Sequence, residues 1–315
     1  MIVHRGLDDL QPLPNAVVTS GTFDGVHRGH QTILTRLTEV AHASNGQSVL
    51  ITYWPHPRTV VSNDSQNLKL LTTLDEKIEL FDQVGVDHLV VIPFTRSFSQ
   101  LSSEEYIRQI LIGKIGTKKL VIGYDHRFGR DREGGFDYIQ AHQSEYGFEV
   151  EEIPRHDVEA VGVSSSKIRT ALTEGNIKTA NRFLGRPYSL TGTIVKGQQL
   201  GRTIGFPTAN MQVDDVSKLV PANGVYAVNV LHGAGQVHGG MLNIGFRPTV
   251  DAATVAGTNQ TIETYIFDFD KDIYGEHLTL RFRAFLRPEQ KFEGLPALVV
   301  QLKQDEESAR MVLAE

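Results

Sequence analysis

Residues 21–31 read Gly21-Thr22-Phe23-Asp24-Gly25-Val26-His27-Arg28-Gly29-His30-Gln31. Two imidazoles three residues apart, His27 and His30, stand among three glycines. An apolar run over 16–19 precedes them. Ile33, Leu34, Leu37 and Val40 follow at helical spacing. The spacing puts both histidines in a strand–loop–helix unit, at the start of the helix. Gly21, Gly25 and Gly29 let the backbone come close to a ligand. The first turn of a helix offers N–H donors and a positive dipole end, which suits phosphate. Imidazoles there can donate to phosphoryl oxygens and stabilise charge during transfer.

A second chemistry is written near the far end of the chain. Gly201, Gly205 and Pro207 shape a loop that leads into Thr208-Ala209-Asn210. It is not a P-loop, because no Gly-x-x-x-x-Gly-Lys-Ser/Thr run occurs. Thr208 and Asn210 are two apart, so on an extended segment they share one side. A hydroxyl and an amide oxygen on one side suit magnesium, which prefers oxygen ligands. Glu263 is an isolated acid in the β-branched and apolar run Thr261-Ile262-Glu263-Thr264-Tyr265-Ile266-Phe267. A carboxylate of this kind can take a proton from an alcohol. An outward-facing strand glutamate is the competing reading.

These groups need a scaffold with room for two cores, and 315 residues provide it. Apolar content is 40% and charged content 22%, as in an ordinary globular protein. A net charge of −6 gives no broad nucleic-acid footprint. With no cysteine, disulfides, thiolate catalysis and cysteine-held metals are excluded. No stretch of about 20 apolar residues offers a membrane span. The opening residues lack the apolar run of a signal peptide, so the expected location is the cytoplasm.

The first half alternates strand and helix. Strand-like runs cover 16–19, 48–52, 88–92 and 119–122. Helical patterns cover 29–44, 74–84, 102–115 and about 133–146. Short apolar strands between amphipathic helices predict a Rossmann-like α/β domain with a parallel sheet covered on both faces. Its ligand belongs beyond the carboxyl ends of the strands. Residues 164–169 open a short helix, with Ser164 or Ser165 as its cap. A second helix over 176–184 stops at Gly185, with Pro187 two residues on. The expected boundary follows, giving domains 1–186 and 187–315. Beyond it, β-branched runs at 190–195, 224–230, 239–244, 261–267 and 278–286 predict an antiparallel barrel. A helical pattern over 295–313 closes the chain.

Five motifs in order carry a resemblance. They are residues 21–31, 53–57 (Tyr53-Trp54-Pro55-His56-Pro57), 123–129 (Gly123-Tyr124-Asp125-His126-Arg127-Phe128-Gly129), 164–169 and 201–210. The first alone resembles the nucleotidyltransferases that attack the α-phosphate of ATP. Together they resemble the bifunctional bacterial riboflavin kinase/FAD synthetase family, over about residues 15–310. The resemblance implies an N-terminal FMN adenylyltransferase and a C-terminal riboflavin kinase barrel. ATP, riboflavin and FMN would be its ligands and Mg2+ its metal, with no nucleic acid or membrane partner.

The resemblance also distributes roles. His27 and His30, with Gly21, Phe23, Gly25 and Gly29, would meet the ATP phosphates. Ser165, Ser166 and Arg169 would form a second phosphate segment; a capped helix with a solvated basic face is the other reading. Asp24 either helps hold magnesium or fixes the loop by accepting N–H bonds, and the second is preferred. His56, Asp125, Arg127 and Phe128 would line the flavin side. His56 also reads as a plain turn histidine, and Asp125 and Arg127 as a brace joined to each other. His126 stands where the family usually has an aromatic residue. Gly201, Gly205 and Pro207 would shape the kinase nucleotide loop, Thr208 and Asn210 would hold magnesium, and Glu263 would be the general base. Arg247 and Arg287 are lesser candidates for phosphate or flavin contacts. Two alternatives remain: the same fold with only the kinase active, or a non-catalytic flavin-binding regulator. The second would be expected to lack His27, His30, Asn210 or Glu263, and all four are present.

Overall fold

The computed structural model describes residues 1–62, 68–154, 162–197, 199–233, 235–246 and 260–314. The chain forms two compact units, Met1–Ser165 and Ser166–Glu315.

The first unit runs β1 (Ile2–Arg5), β2 (Ala16–Ser20), α1 (Arg28–Ala43), β3 (Gln47–Trp54), α2 (Pro57–Val61), α3 (Leu74–Val84) and β4 (His88–Pro93). Then come α4 (Ser103–Glu105), which continues as a π-helical stretch Tyr106–Ile115, β5 (Thr117–Gly123), α5 (Phe136–Tyr146) and β6 (Glu149–Ile153). The six strands are ordered β1-β4-β3-β2-β5-β6, and every pairing is parallel. Alternate residues of the central strands feed two cores. Val18, Val49, Ile51, Val90 and Ile122 pack with Ile107, Leu111 and Ile139 on one face. Val17, Leu50, Leu89 and Val121 pack with Leu34, Leu37 and Phe81 from α1 and α3 on the other. This is the doubly wound arrangement expected. Strand order reverses between β2 and β5, so the crevice for a ligand lies at their carboxyl ends.

Two edge strands escaped the sequence reading. β1 mixes Ile2 and Val3 with His4 and Arg5. β6 is Glu149-Val150-Glu151-Glu152-Ile153, and its Glu151 pairs with Arg36 at 2.6 Å and Lys119 at 2.8 Å. Edge strands carry charge where central strands carry apolar runs. The helix expected from about 133 starts at Phe136, because Gly134 and Gly135 precede it and Asp131 has φ 55°.

The second unit contains most of α6 (Ser165–Thr173), then α7 (Ile177–Leu184), β7 (Ser189–Val195), α8 (Leu200–Thr203), β8 (Ala209–Val213) and β9 (Gly224–His232). β10 (Gln236–Phe246), β11 (Gln260–Ile266), β12 (His277–Arg287) and α9 (Leu295–Ala314) complete it. The strands close a barrel in the order β10-β11-β8-β7-β12-β9, each pairing antiparallel. Its interior holds Leu190, Tyr226, Val228, Leu242, Thr264 and Phe282, all buried. α9 lies on the outer face over Ala227, Met241 and Phe267. Arg287 fixes that helix by a forked pair with Asp305, Nε at 2.9 Å and Nη2 at 2.7 Å. The helices before the barrel group with it. Asn181 Nδ2 donates to the Phe282 carbonyl at 2.9 Å, and the Tyr188 amide donates to Asn181 Oδ1 at 2.8 Å.

Candidate active sites

Gly21 leaves β2 with its amide donating to the Ile51 carbonyl at 3.0 Å. The next turns are sharp: Phe23 has φ 46°, Gly25 85° and Val26 39°. A β-branched residue in the left-handed region is unusual and needs support from outside the loop. That support is visible. Asp24 accepts from the amides of Leu71 at 3.0 Å and Thr72 at 3.1 Å. The Gly25 amide donates to Thr72 Oγ1 at 2.9 Å. Ser165 Oγ donates to the Asp24 carbonyl at 2.9 Å. Asp24 therefore fixes the loop, as its preferred reading had it. It also brings Ser165, the first residue of α6, to the histidine loop. Ser166 and Arg169 follow on the same helix, Ser166 exposed and Arg169 half-buried.

His27 is the N-cap of α1. Its Nδ1 accepts from the His30 amide at 3.3 Å, so in the neutral ring the proton sits on Nε2. The His27 and His30 rings stack at 3.6 Å between centroids and 16° between planes. His30 also meets the Phe23 ring edge-on at 5.1 Å. The two histidines thus form one unit at the helix start, with Gly29 buried between them in sequence.

The loop after β5 faces the same crevice. Ser20 Oγ, at the end of β2, lies 3.3 Å from His126 Nε2. Burial, followed by the charges of Arg127 and Arg132, pushes the His126 imidazolium down to about 4, so the ring is neutral near pH 7. Asp125 and Arg127 are exposed, and Arg127 Nη1 donates to the His126 carbonyl at 2.9 Å. No ion pair joins Asp125 to Arg127 among the described residues, which corrects the brace reading. Phe128 is only 7% exposed and packs 5.3 Å from Tyr106 in the core, so it anchors this loop from within. His56 is buried and caps α2, its Nδ1 accepting from the Arg58 amide at 3.2 Å. Sequence reasoning passed over Ser20 and Tyr106 here and named Tyr53 only as part of the 53–57 motif. The two phenol oxygens lie 2.9 Å apart. Ser20 ends β2, and Tyr53 is the last residue but one of β3.

The second site lies on the barrel's outer face. In the strand register Asn210 of β8 stands opposite Glu263 of β11, and Glu263 stands opposite Asn243 of β10. Directly paired residues point to the same face. Asn210, Glu263 and Asn243 are therefore a polar row across three strands. Thr264, one residue on from Glu263, points into the barrel and is buried. Further along the same face Met241 and Tyr265 turn apolar under α9. Asn210 is 9% exposed, while Glu263 and Asn243 are half-buried. Asn243 escaped the sequence reading, because only pairing reveals it as a neighbour of Glu263.

The loop before β8 is tied to this row. The Phe206 amide donates to the Gly201 carbonyl at 2.8 Å, and a Cβ at Gly201 would come within 2.2 Å of the Phe206 carbonyl. Gly205 has φ 85°, which favours glycine. Phe206 packs edge-on to Tyr265 at 5.2 Å, two residues from Glu263. Pro207 is exposed, and Thr208 directly precedes β8. Arg287 is committed to Asp305, so the structure corrects its reading as a phosphate or flavin contact. Arg247 lies outside the described residues.

Two family models match the chain in the order of its two sites. FAD synthetase matches residues 10–167, and riboflavin kinase matches residues 184–313. The first span holds the histidine loop and Ser165; the second holds Thr208, Asn210 and Glu263. The bifunctional riboflavin kinase/FMN adenylyltransferase of Listeria monocytogenes is 38% identical, over 96% of this chain and 93% of its own. The Escherichia coli protein of the same name is 37% identical, over 98% and 97%. This chain belongs to the bifunctional riboflavin kinase/FMN adenylyltransferase family. A Streptococcus pneumoniae crystal structure described as a macrolide-efflux protein shares the fold, with a TM-score of 0.88 and 31% identity over 98% of this chain and 99% of that one. No helix among the described residues of this family member is long and apolar enough to cross a membrane. Nor do those residues gather three or more histidine, aspartate or glutamate side chains that could hold a metal. Thr208 and Asn210 carry oxygen donors of the kind that magnesium prefers.

Proposed function

We propose that this chain makes FMN from riboflavin and ATP on its barrel unit, and then FAD and pyrophosphate from FMN and a second ATP on its N-terminal unit. The observation that carries this reading is that two sites of different chemistry coincide with two family matches. The N-terminal site is rich in imidazole and backbone donors and poor in exposed carboxylates at its loop. That suits a nucleophile, the FMN phosphate, which is already ionised near neutrality with a second pKa of about 6. Its oxygen attacks the α-phosphorus, and the bond to the β-phosphate oxygen breaks. His27 and His30, the amides of the loop from Gly21 to Gly29, and Ser165, Ser166 and Arg169 bind and orient the phosphates. Asp125 and Arg127 present polar groups to the flavin, while His56 and Phe128 hold the walls of that side.

The barrel site supplies what a neutral alcohol needs. Glu263 takes the proton of the terminal ribityl hydroxyl as its oxygen attacks the γ-phosphorus, and the bond to the β-phosphate oxygen breaks to release ADP. Thr208 and Asn210 would hold Mg2+, which neutralises phosphate charge when bound. Gly201, Gly205 and Pro207 shape the loop beside the nucleotide. As part of this reading, an enzyme whose ligands are ATP and flavins is proposed to work in the cytoplasm.

The deciding experiment is incubation with riboflavin, ATP and magnesium, with FMN and FAD separated over time. FMN should appear first and FAD after a lag. FMN without FAD would leave only the kinase, and neither product would defeat the reading.

A further inference from the structure

Lys77, on α3, is 1% exposed and among the largest fully buried side chains of the protein. Its Nζ donates to the Thr22 carbonyl at 3.1 Å and lies 5.2 Å from the Trp54 ring centroid. The Asp24 carboxylate favours its charge, but burial outweighs that and pushes it down to about 8. Burying an ammonium is costly, and an apolar side chain of similar size would fill the same space without that penalty. The compensation is therefore to be sought at the group the lysine holds.

That group is the Thr22–Phe23 peptide. It is trans, since the Trp54–Pro55 bond is the cis bond among the described residues. In a trans peptide the carbonyl and the following N–H point in opposite directions. By holding the Thr22 carbonyl, Lys77 turns the Phe23 N–H away from itself. Phe23 is 4% exposed, and its N–H reaches no acceptor among the described residues. A buried amide without a protein acceptor is a donor kept for something else. We infer that Lys77 is a positioning residue for adenylyl transfer, which sets the Phe23 amide as a donor to the transferred phosphate. The inference rests on the histidine loop being the phosphate site.

The test uses the full chain with Lys77→Met and Lys77→Leu, beside His30→Ala. FAD formation from FMN, FMN formation from riboflavin, and thermal melting are measured on each preparation. Both Lys77 variants should melt at or above the wild-type temperature. At saturating ATP they should form FAD about tenfold more slowly or worse, with the ATP KM changed less than about threefold, as expected of a misplaced donor. FMN formation should be unchanged. FAD formation kept within about threefold in a stably folded variant would overturn the inference, on the scale of a lost donor. So would melting below wild type in both variants, or equal loss of both reactions, because the lysine would then be merely structural. If His30→Ala also keeps FAD formation, the phosphate-loop reading fails; if only the Lys77 variants keep it, the inference about Lys77 fails alone.

Discussion

Asn210 and Glu263 stand directly opposite one another in the pairing of β8 and β11. A candidate metal ligand and a candidate base are thus neighbours on one face, held by strand register rather than by a loop. A rigid setting of this kind favours a defined distance between nucleophile and phosphate. Glu263→Gln keeps the size and one acceptor but removes the basic carboxylate. Riboflavin kinase kcat should fall by about 10²–10⁴-fold, the usual worth of a general base. FAD formation from supplied FMN should survive. A near-wild-type kcat for FMN formation, where chemistry limits turnover, would remove Glu263 from the base role.

His27 does two jobs that mutation can separate. As N-cap it supports α1, and as an imidazole it is proposed to meet the ATP phosphates. His27→Ala should lower stability by about 1 kcal/mol through the lost cap and reduce FAD formation. His27→Asn restores a capping oxygen without the ring. It should melt like wild type yet form FAD as slowly as the alanine variant. His30→Ala should slow FAD formation by about 10²-fold, the scale of a lost oxyanion donor, without touching the kinase. Recovery of FAD formation in His27→Asn would reduce His27 to a helix cap.

The central architecture was legible because central strands declare themselves. Val17 and Val18, Val49 to Ile51 and Leu120 to Ile122 are buried on both faces, so they read as short apolar runs. β1 and β6 did not, because an edge strand pairs on one side and takes charged residues on the other. The same limit governs the sites. His27, His30, Asn210 and Glu263 stood out by type and spacing. Asn243 and Lys77 did not, since one is found only through strand register and the other only through what α3 packs against. Arg287 reads as a free cation in sequence and becomes an anchor once Asp305 of α9 meets it.

His126 should make the enzyme acid-sensitive. Its folded value of about 4 lies below the 6.5 of an exposed histidine, through burial first and then Arg127 and Arg132. Above about pH 6.5 neither state binds the proton, and no stability is lost. Between 6.5 and 4 the unfolded chain takes up the proton and the folded one does not, so stability falls as pH falls. The loss is on the order of 2 kcal/mol at pH 4.5. His126→Phe removes this titration. Urea unfolding at pH 7 and at pH 4.5 should show a smaller drop in the variant than in wild type. Equal drops would mean that another group governs acid unfolding.

Fragments should separate the kinase from the adenylyltransferase, and their start point matters. α6 and α7 group with the barrel: Leu172, Ile177 and Leu184 are buried, the Ala222 amide donates to the Leu172 carbonyl at 3.0 Å, and Asn181 is bonded to both Tyr188 and Phe282. A fragment of residues 166–315 keeps these contacts. It should melt cooperatively and convert riboflavin to FMN without making FAD. A fragment of residues 188–315 still holds Asn210 and Glu263 but loses, among other buried side chains, Ile168, Leu172, Ile177 and Leu184, each worth about 1.5–3 kcal/mol. It should be several kcal/mol less stable, with kinase activity surviving only in its folded fraction. Melting curves and FMN yield on the two fragments decide the matter. Equal stability would show that the helices are dispensable to the barrel, and a folded longer fragment without FMN formation would place part of the kinase in the N-terminal unit.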